Sequence, residues 1–223
     1  MSGGGPNPAP GDPDLRDAWL AEDPLPDEPV PIVERWLSEA FADPAQDSPH
    51  AVALATVDPD GRPAVRMVLC NAIDSERGVF TMYTNREGRK GRAIDHEPHA
   101  SIAFRWPARQ VRVEGRVERT PDAACDAYFA TRPLEARLGA WASRQSEPVA
   151  SRAAMLAELE VVAERFGARQ ESDPVPRPAH WGGFSLVADA VELWVSRRGR
   201  IHDRAVWKRA AEGQAWQVTR LQP

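Results

Sequence analysis

The chain has 223 residues, a hydrophobic fraction of 42% and a formal net charge of −5. That length and composition suit one globular domain with a sizeable core and exclude wholesale disorder. The acidic balance excludes nucleic acid as the main partner, so any anion site must come from a local basic cluster.

Two cysteines, Cys70 and Cys125, with no CxxC spacing, read as a reduced, cytoplasmic protein. No apolar run approaches the ~18 residues of a membrane span, and the N-terminus carries no apolar signal core. Residues 1–13 hold four Gly and four Pro and read as disordered. The whole of 1–29 reads as a disordered, Pro-rich N-terminal segment ahead of a single domain over 30–223. A helix is expected over 31–42, where Ile32, Val33, Trp36, Leu37, Ala40 and Phe41 share one face.

Strands follow. Ala51–Val57 ends in Asp58-Pro59-Asp60-Gly61, a hairpin signal. Arg62–Ile73 reads as one strand and Val79–Thr84 as the next, then a short helix near 88–97. Ala100–Trp106 and Gln110–Arg119 add two more strands. Strands joined mostly by short turns predict an antiparallel barrel, α+β in class and mainly β. No GxGxxG follows a strand, so a dinucleotide fold is not supported. Pro121 opens a helix to about Arg132, and Pro133 ends it or starts another. An amphipathic helix is expected over 148–167, with Ala153, Leu156, Leu159, Ala163 and Phe166 on one face and Gly167 as its cap. Closing strands are expected near 184–196, 200–208 and 215–221.

The run Arg86-Glu87-Gly88-Arg89-Lys90-Gly91-Arg92 is the strongest chemical signal. Alone it could be a solvated surface, but Arg66 sits within an apolar strand, where a cation usually has an anionic partner. Together, Arg66, Arg89 and Lys90 could neutralise a phosphomonoester dianion. In Arg200-Ile201-His202-Asp203-Arg204, strand alternation would put Arg200, His202 and Arg204 on one side. An anionic ligand or a solvated edge strand would each account for that. Trp141, Trp181 and Trp194 suit a flat ligand or a core. Gln110, Gln145 and Ser146 read, on pattern alone, as surface polar residues. Pro98 in the HEPH run argues against zinc at His96 and His99. Nucleophilic catalysis by Ser146 or Cys70 has no supporting motif.

Taken together, RMVL, YTN..GRK, RQVRVEG, YFATRP, GAW.S.QS, WGGF, RIHDR and RLQP occur in an order that resembles the pyridoxine/pyridoxamine 5′-phosphate oxidase family over about residues 30–223. The resemblance implies an FMN-binding split β-barrel working as a homodimer, with 180–223 as the dimerisation region. It implies cofactor contacts from Arg66, Met67, Val68, Leu69, Tyr83, Thr84, Arg89, Lys90, Gln110, Gln145, Ser146, Trp194 and Arg204, some across the dimer. Substrate phosphate would meet Tyr128 and Arg132, while Arg200 and His202 would lie over the reacting carbon. The implied reaction oxidises an amine or alcohol carbon of pyridoxamine or pyridoxine 5′-phosphate, or a close analogue, with O2 as acceptor and peroxide as product. A relative recruited to phenazine-type secondary metabolism is the alternative. This sequence departs from the family pattern at two substrate-phosphate positions, with Asn71 for the usual Lys and Ala136 for the usual Ser. Arg137 is a candidate to offset that loss. The arginine-rich substrate lid of some members is reduced to Leu15-Arg16-Asp17.

Overall fold

The computed structural model describes residues 17–21 and 23–223. The disorder expected for 1–13, and Leu15 and Arg16 of the shortened lid, lie outside them. Among the described residues the order is α1 (Val30–Phe41), β1 (Ala51–Val57), β2 (Pro63–Leu69), β3 (Ala72–Asp74), β4 (Val79–Asn85), α2 (Arg89–His96), β5 (His99–Trp106) and β6 (Arg109–Arg119). Then come α3 (Asp122–Ala130), α4 (Leu134–Ala142), α5 (Arg152–Phe166), β7 (Trp181–Val195), β8 (Asp203–Lys208) and β9 (Gln217–Leu221).

All ladders are antiparallel, in the order β2-β1-β5-β6-β7-β4-β3, with β8 and β9 added beside β7. The sheet curls because β7 is long enough to serve three partners. One of its edges pairs with β6 over Phe184–Val195. The other pairs with β4 over Trp181–Val187 and with β8 over Ala190–Val195. The fork between β4 and β8 splits the barrel and separates its two ends. Inside, Val33 and Trp36 of α1 join Phe80, Phe104, Leu186, Leu193 and Trp207 in one core with no solvent exposure at any of them. A smaller core under α4 and α5 holds Leu134, Leu138, Val162 and Ala163.

The β6–β7 register shifts between Glu114 and Gly115. A Cβ on Gly115 would sit 2.0 Å from the Val187 carbonyl oxygen, so backbone meets backbone there. Gly115→Ala is therefore expected to cost about 1–3 kcal/mol through overpacking. A urea midpoint equal to wild type would show that the bulge absorbs the methyl group.

Three expectations change. The strand expected over Arg62–Ile73 is two strands. At Cys70 and Asn71 the chain swaps partners: Cys70 N–H donates to His50 O and Asn71 N–H to Thr81 O, both at 2.8 Å. The helix expected from 148 begins at Arg152, because the Ser151 hydroxyl accepts from Ala154 N–H at 3.0 Å and caps it. On that helix Leu156 is exposed and Val162 is buried. Finally, Arg198–Arg200 form a 3-10 turn rather than strand, with Gly199 and Arg200 at φ 65° and 64°. The alternation proposed through Arg200, His202 and Arg204 therefore does not exist, since β8 starts at Asp203.

Candidate active site

At the end of the barrel where β1, β2 and α2 meet, four charged side chains converge. Inward alternation on β2 half-buries Arg66, whose Nη1 donates to Leu54 O (3.1 Å) and Thr56 Oγ1 (2.9 Å). Burial lowers its pKa, with Asp58 opposing and Arg89 adding to the fall. Arg66 itself is hydrogen-bonded to neutral oxygens, and Asp58 of the β1–β2 turn, which pairs with Arg89, acts on Arg66 through its charge alone. Helix α2 is launched by Asn85, whose Oδ1 accepts from Glu87 N–H (2.7 Å) and Gly88 N–H (3.2 Å). Gly91 is obligatory in that first turn, since a Cβ would lie 1.7 Å from Arg86 O. The turn presents Arg89 and Lys90. Arg89 Nε donates to Asp58 Oδ2 at 2.9 Å, and Lys90 Nζ donates to Gln145 Oε1. Burial first, then Arg66, lowers Lys90 to about 8. Three cations and one carboxylate leave a net charge of +2 facing a helix N-terminus, a setting suited to a phosphomonoester dianion.

The rest of the basic run does other work. Arg86 is anchored to Thr120 O (2.9 Å) and Asp122 (3.4 Å), and Arg92 caps Glu87 O. Of the seven-residue run, only Arg89 and Lys90 belong to the cradle.

Beside it lies a cavity of about 290 Å³ lined by Met67, Val68, Leu69, Asn71, Tyr83, Thr84, Lys90, Tyr128, Arg132, Gln145 and Trp181. Tyr83, Tyr128 and Trp181 stack nearly parallel, with centroids 4.0 Å and 5.7 Å from Tyr83. Asn71 ties this wall together, accepting from Tyr83 N–H (3.1 Å) and donating to the Tyr128 hydroxyl (2.8 Å). The Arg132 guanidinium lies 4.7 Å from the Trp181 ring centroid, and its buried Nη1 makes no hydrogen bond. Burial lowers its pKa. Ser146 Oγ accepts from Arg89 N–H at 3.3 Å, and Ser146 itself has φ 76°. A non-glycine residue in that region is strained and is held there by its surroundings. Met67 and Leu69 remain 64% and 44% exposed, turned to the outer face of edge strand β2.

Arg137 is no spare cation. It is buried, and its guanidinium donates to Arg132 O (3.0 Å), Asp173 O (2.9 Å) and Glu171 O (2.5 Å). The expectation that it could replace lost phosphate contacts is wrong, because every edge of its fork is already used to bind the α4 region. Cys70 is likewise inert, since burial pushes its thiol up to about 12.

The remaining candidates gather at the other end of β7. Gln110, Trp194 and Arg204 lie in register across β6, β7 and β8. Arg204 is held by buried Glu192 at 2.8–3.0 Å, and Glu192 also accepts from Arg112 at 2.8 Å. His202 packs 4.6 Å from the Trp194 ring and accepts at Nδ1 from Arg197 N–H at 3.1 Å. With Nδ1 taken up as an acceptor, the ring N–H that can reach a partner is the one on Nε2. Arg200 is exposed. Tyr83 pairs with Gly183 and Arg204 with Trp194, eleven residues further along β7. At ~3.3 Å per residue the two groups are roughly 36 Å apart along the strand. One chain does not bring them together.

Sequence reasoning missed Asp58 and Glu192. Asp58 was legible only as a turn former. Glu192 lies in Val-Glu-Leu-Trp-Val, a charge within an apolar strand, which is the signal that exposed Arg66.

A family model described as pyridoxamine 5′-phosphate oxidase matches residues 38–166. A second, the pyridoxine 5′-phosphate oxidase C-terminal dimerisation region, matches 181–223. The pyridoxine/pyridoxamine 5′-phosphate oxidase of Gluconobacter oxydans is 46% identical over 198 residues, 88% of this chain and 94% of that one. Its counterpart from Burkholderia lata is 45% identical over 199 residues, 88% and 89% of the two chains. Among solved structures, PhzG from Burkholderia lata in complex with tetrahydrophenazine-1-carboxylic acid superposes with TM-score 0.80 at 29% identity, over 94% of this chain and 98% of that one. A pyridoxamine 5′-phosphate oxidase-related, FMN-binding protein from Nostoc punctiforme shares the fold, with TM-score 0.66 at 19% identity over 85% and 96% of the two chains. The chain belongs to the pyridoxamine 5′-phosphate oxidase family, and it is an oxidoreductase.

Proposed function

We propose that the protein is an FMN-dependent oxidase acting on the amine or alcohol carbon of pyridoxamine or pyridoxine 5′-phosphate, or a close analogue. The observation that carries this reading is Arg132: a guanidinium nitrogen, buried and unpaired, in an aromatic-walled cavity that adjoins the cationic cradle. A buried donor left without a partner is costly, and an anionic substrate would satisfy it. The donor set of Arg66, Arg89 and Lys90 fits the phosphate of FMN. Bound there, FMN would accept a hydride and return two electrons to O2 as H2O2. The alcohol would leave as an aldehyde, and the amine, with one water, as an aldehyde and ammonia. Within that reaction Tyr128 and Arg132 hold the substrate anion, and Tyr83 and Trp181 present ring faces to a flat substrate. Arg200 steers the substrate, and His202, oriented by Arg197 N–H, donates through Nε2 rather than acting as a base.

The separation of the two residue groups supports a homodimer in which Gln110, Trp194, Arg200, His202 and Arg204 of one copy complete the site of the other. The test is peroxide release from a substrate panel by protein whose mass is measured by light scattering. Turnover of pyridoxamine 5′-phosphate at twice the 24.6 kDa chain mass is expected. Full turnover by a single chain would defeat the shared-site reading. A second reading has its own support: Asn71 and Ala136 leave Arg132 as the cation beside the aromatic wall, and PhzG, of similar fold, holds a carboxylate-bearing ring compound. Turnover of a reduced tricyclic carboxylate, with none of the phosphorylated pyridines, would select it.

The cradle also predicts a pH dependence. Lys90, at about 8 in the free protein, attracts a dianion only when protonated. A phosphomonoester stays dianionic above its second pKa of about 6. Affinity for FMN should hold to about pH 7 and be about tenfold lower at pH 9. Lys90→Arg should flatten the profile. A flat wild-type profile in flavin fluorescence titrations would detach Lys90 from the phosphate.

A further inference from the structure

The β1–β2 turn carries a carboxylate that the reaction does not use. Asp58 follows directly on β1, and its backbone is fixed on both sides: its N–H donates to Arg62 O (2.9 Å), and its carbonyl accepts from Gly61 N–H (2.8 Å). Its side chain is 9% exposed. One oxygen, Oδ2, accepts from both Nε and Nη2 of Arg89, while Oδ1 is buried without a hydrogen bond. The arginine is the opposite case. Its side chain is 63% exposed, and Nη1 makes no hydrogen bond among the described residues. A planar fork held along one edge by a carboxylate has its remaining edge aimed in a fixed direction.

We infer that Asp58 is a positioning residue for the phosphate end of the cofactor site, holding the Nε/Nη2 edge of Arg89 so that Nη1 is turned to the anion. The inference rests on the FMN reading above. Two physical effects compete at this position. A carboxylate beside a dianion repels it, whereas a carboxylate that removes the freedom of a long side chain lowers the entropy lost on binding. Here the second wins. Two donors of the Arg89 guanidinium already cover Asp58 Oδ2, and a fork fixed in that way binds a phosphate oxygen without first being ordered. Asp58 also brings the charge of the cradle from +3 to +2, equal and opposite to the dianion.

The experiment is a titration of the apoprotein with FMN and, separately, with riboflavin, which lacks the phosphate. The variants are Asp58→Ala, Asp58→Asn, Arg89→Ala and the Asp58→Ala/Arg89→Ala pair. Asp58→Ala is expected to weaken FMN about tenfold and leave riboflavin unchanged. Asp58→Asn, which can still accept from Arg89, is expected to lose less. In the Arg89→Ala background, removing Asp58 should cost nothing further, since the residue acts through the arginine. Tighter FMN binding by Asp58→Ala would overturn the proposal, making the carboxylate a competitor of the phosphate. Equal loss for FMN and riboflavin would also overturn it, reducing Asp58 to a turn residue. Wild-type protein that binds neither flavin would instead reject the FMN reading itself.

Discussion

Replacing Arg89 and Lys90 together by alanine is expected to weaken FMN binding by a factor on the order of 10² to 10⁴. Each charge-assisted hydrogen bond contributes roughly 1.5–3 kcal/mol, and 1.4 kcal/mol is about tenfold in affinity. The helix that carries both residues should survive. Its start is held by Asn85 Oδ1 and by the tight passage of Gly91 under Arg86 O, neither of which involves the mutated side chains. Truncation does leave Asp58 without its arginine, but Arg66 remains close enough to feel its charge. Lys90→Ala alone removes an ammonium that is largely neutral by pH 9, so its loss in affinity should be smaller at pH 9 than at pH 7. Calorimetric titration with FMN, alongside a denaturant curve to confirm folding, measures both. Unchanged affinity in the folded double variant would move the phosphate elsewhere.

Much of the architecture was legible because hydrophobic periodicity and turn chemistry agreed. Asp58-Pro59-Asp60-Gly61 forms the expected hairpin, with Gly61 at φ 79°, and Gly167 caps α5 in the left-handed region at φ 58°. The break at Cys70-Asn71 was hidden because nothing local marks it. The chain stays extended and only its ladder partner changes, which is a tertiary event. The 3-10 turn at Arg198–Arg200 was hidden for the opposite reason: alternating charges imitate a strand, and Gly199 alone announced the turn. The cationic residues of the site were visible as charges in unexpected places, yet their counter-ions were not. Asp58 and Glu192 each hold a site arginine, and a sequence shows a lone charge far more readily than the pair it belongs to. Arg137 shows the same limit from the other side. Adjacency to Ala136 suggested a spare cation, whereas three carbonyl acceptors consume it.

Arg132→Gln is expected to lower kcat/KM on pyridoxamine 5′-phosphate by about 10- to 150-fold, the value of one charged hydrogen bond at roughly 1.5–3 kcal/mol. Two features make the residue decisive here. Asn71 is committed to Tyr83 N–H and the Tyr128 hydroxyl, and Arg137 to backbone carbonyls, so neither can take over the anion. The guanidinium is also pre-placed by the Trp181 face and carries an unsatisfied Nη1, so its binding capacity is unspent in the free protein. Glutamine keeps a polar, planar end but removes the charge. The loss should fall mainly on KM, since the substrate anion is distant from the oxidised carbon and is gripped equally before and during reaction. Unphosphorylated pyridoxamine should be turned over by the variant at the wild-type rate. Introducing Asn71→Lys and Ala136→Ser together should raise wild-type kcat/KM on the phosphorylated substrate only to the extent that the new ammonium outweighs the lost ties to Tyr83 and Tyr128. An equal fall for phosphorylated and unphosphorylated substrates in Arg132→Gln would mean that the arginine supports the aromatic wall and does not bind the anion.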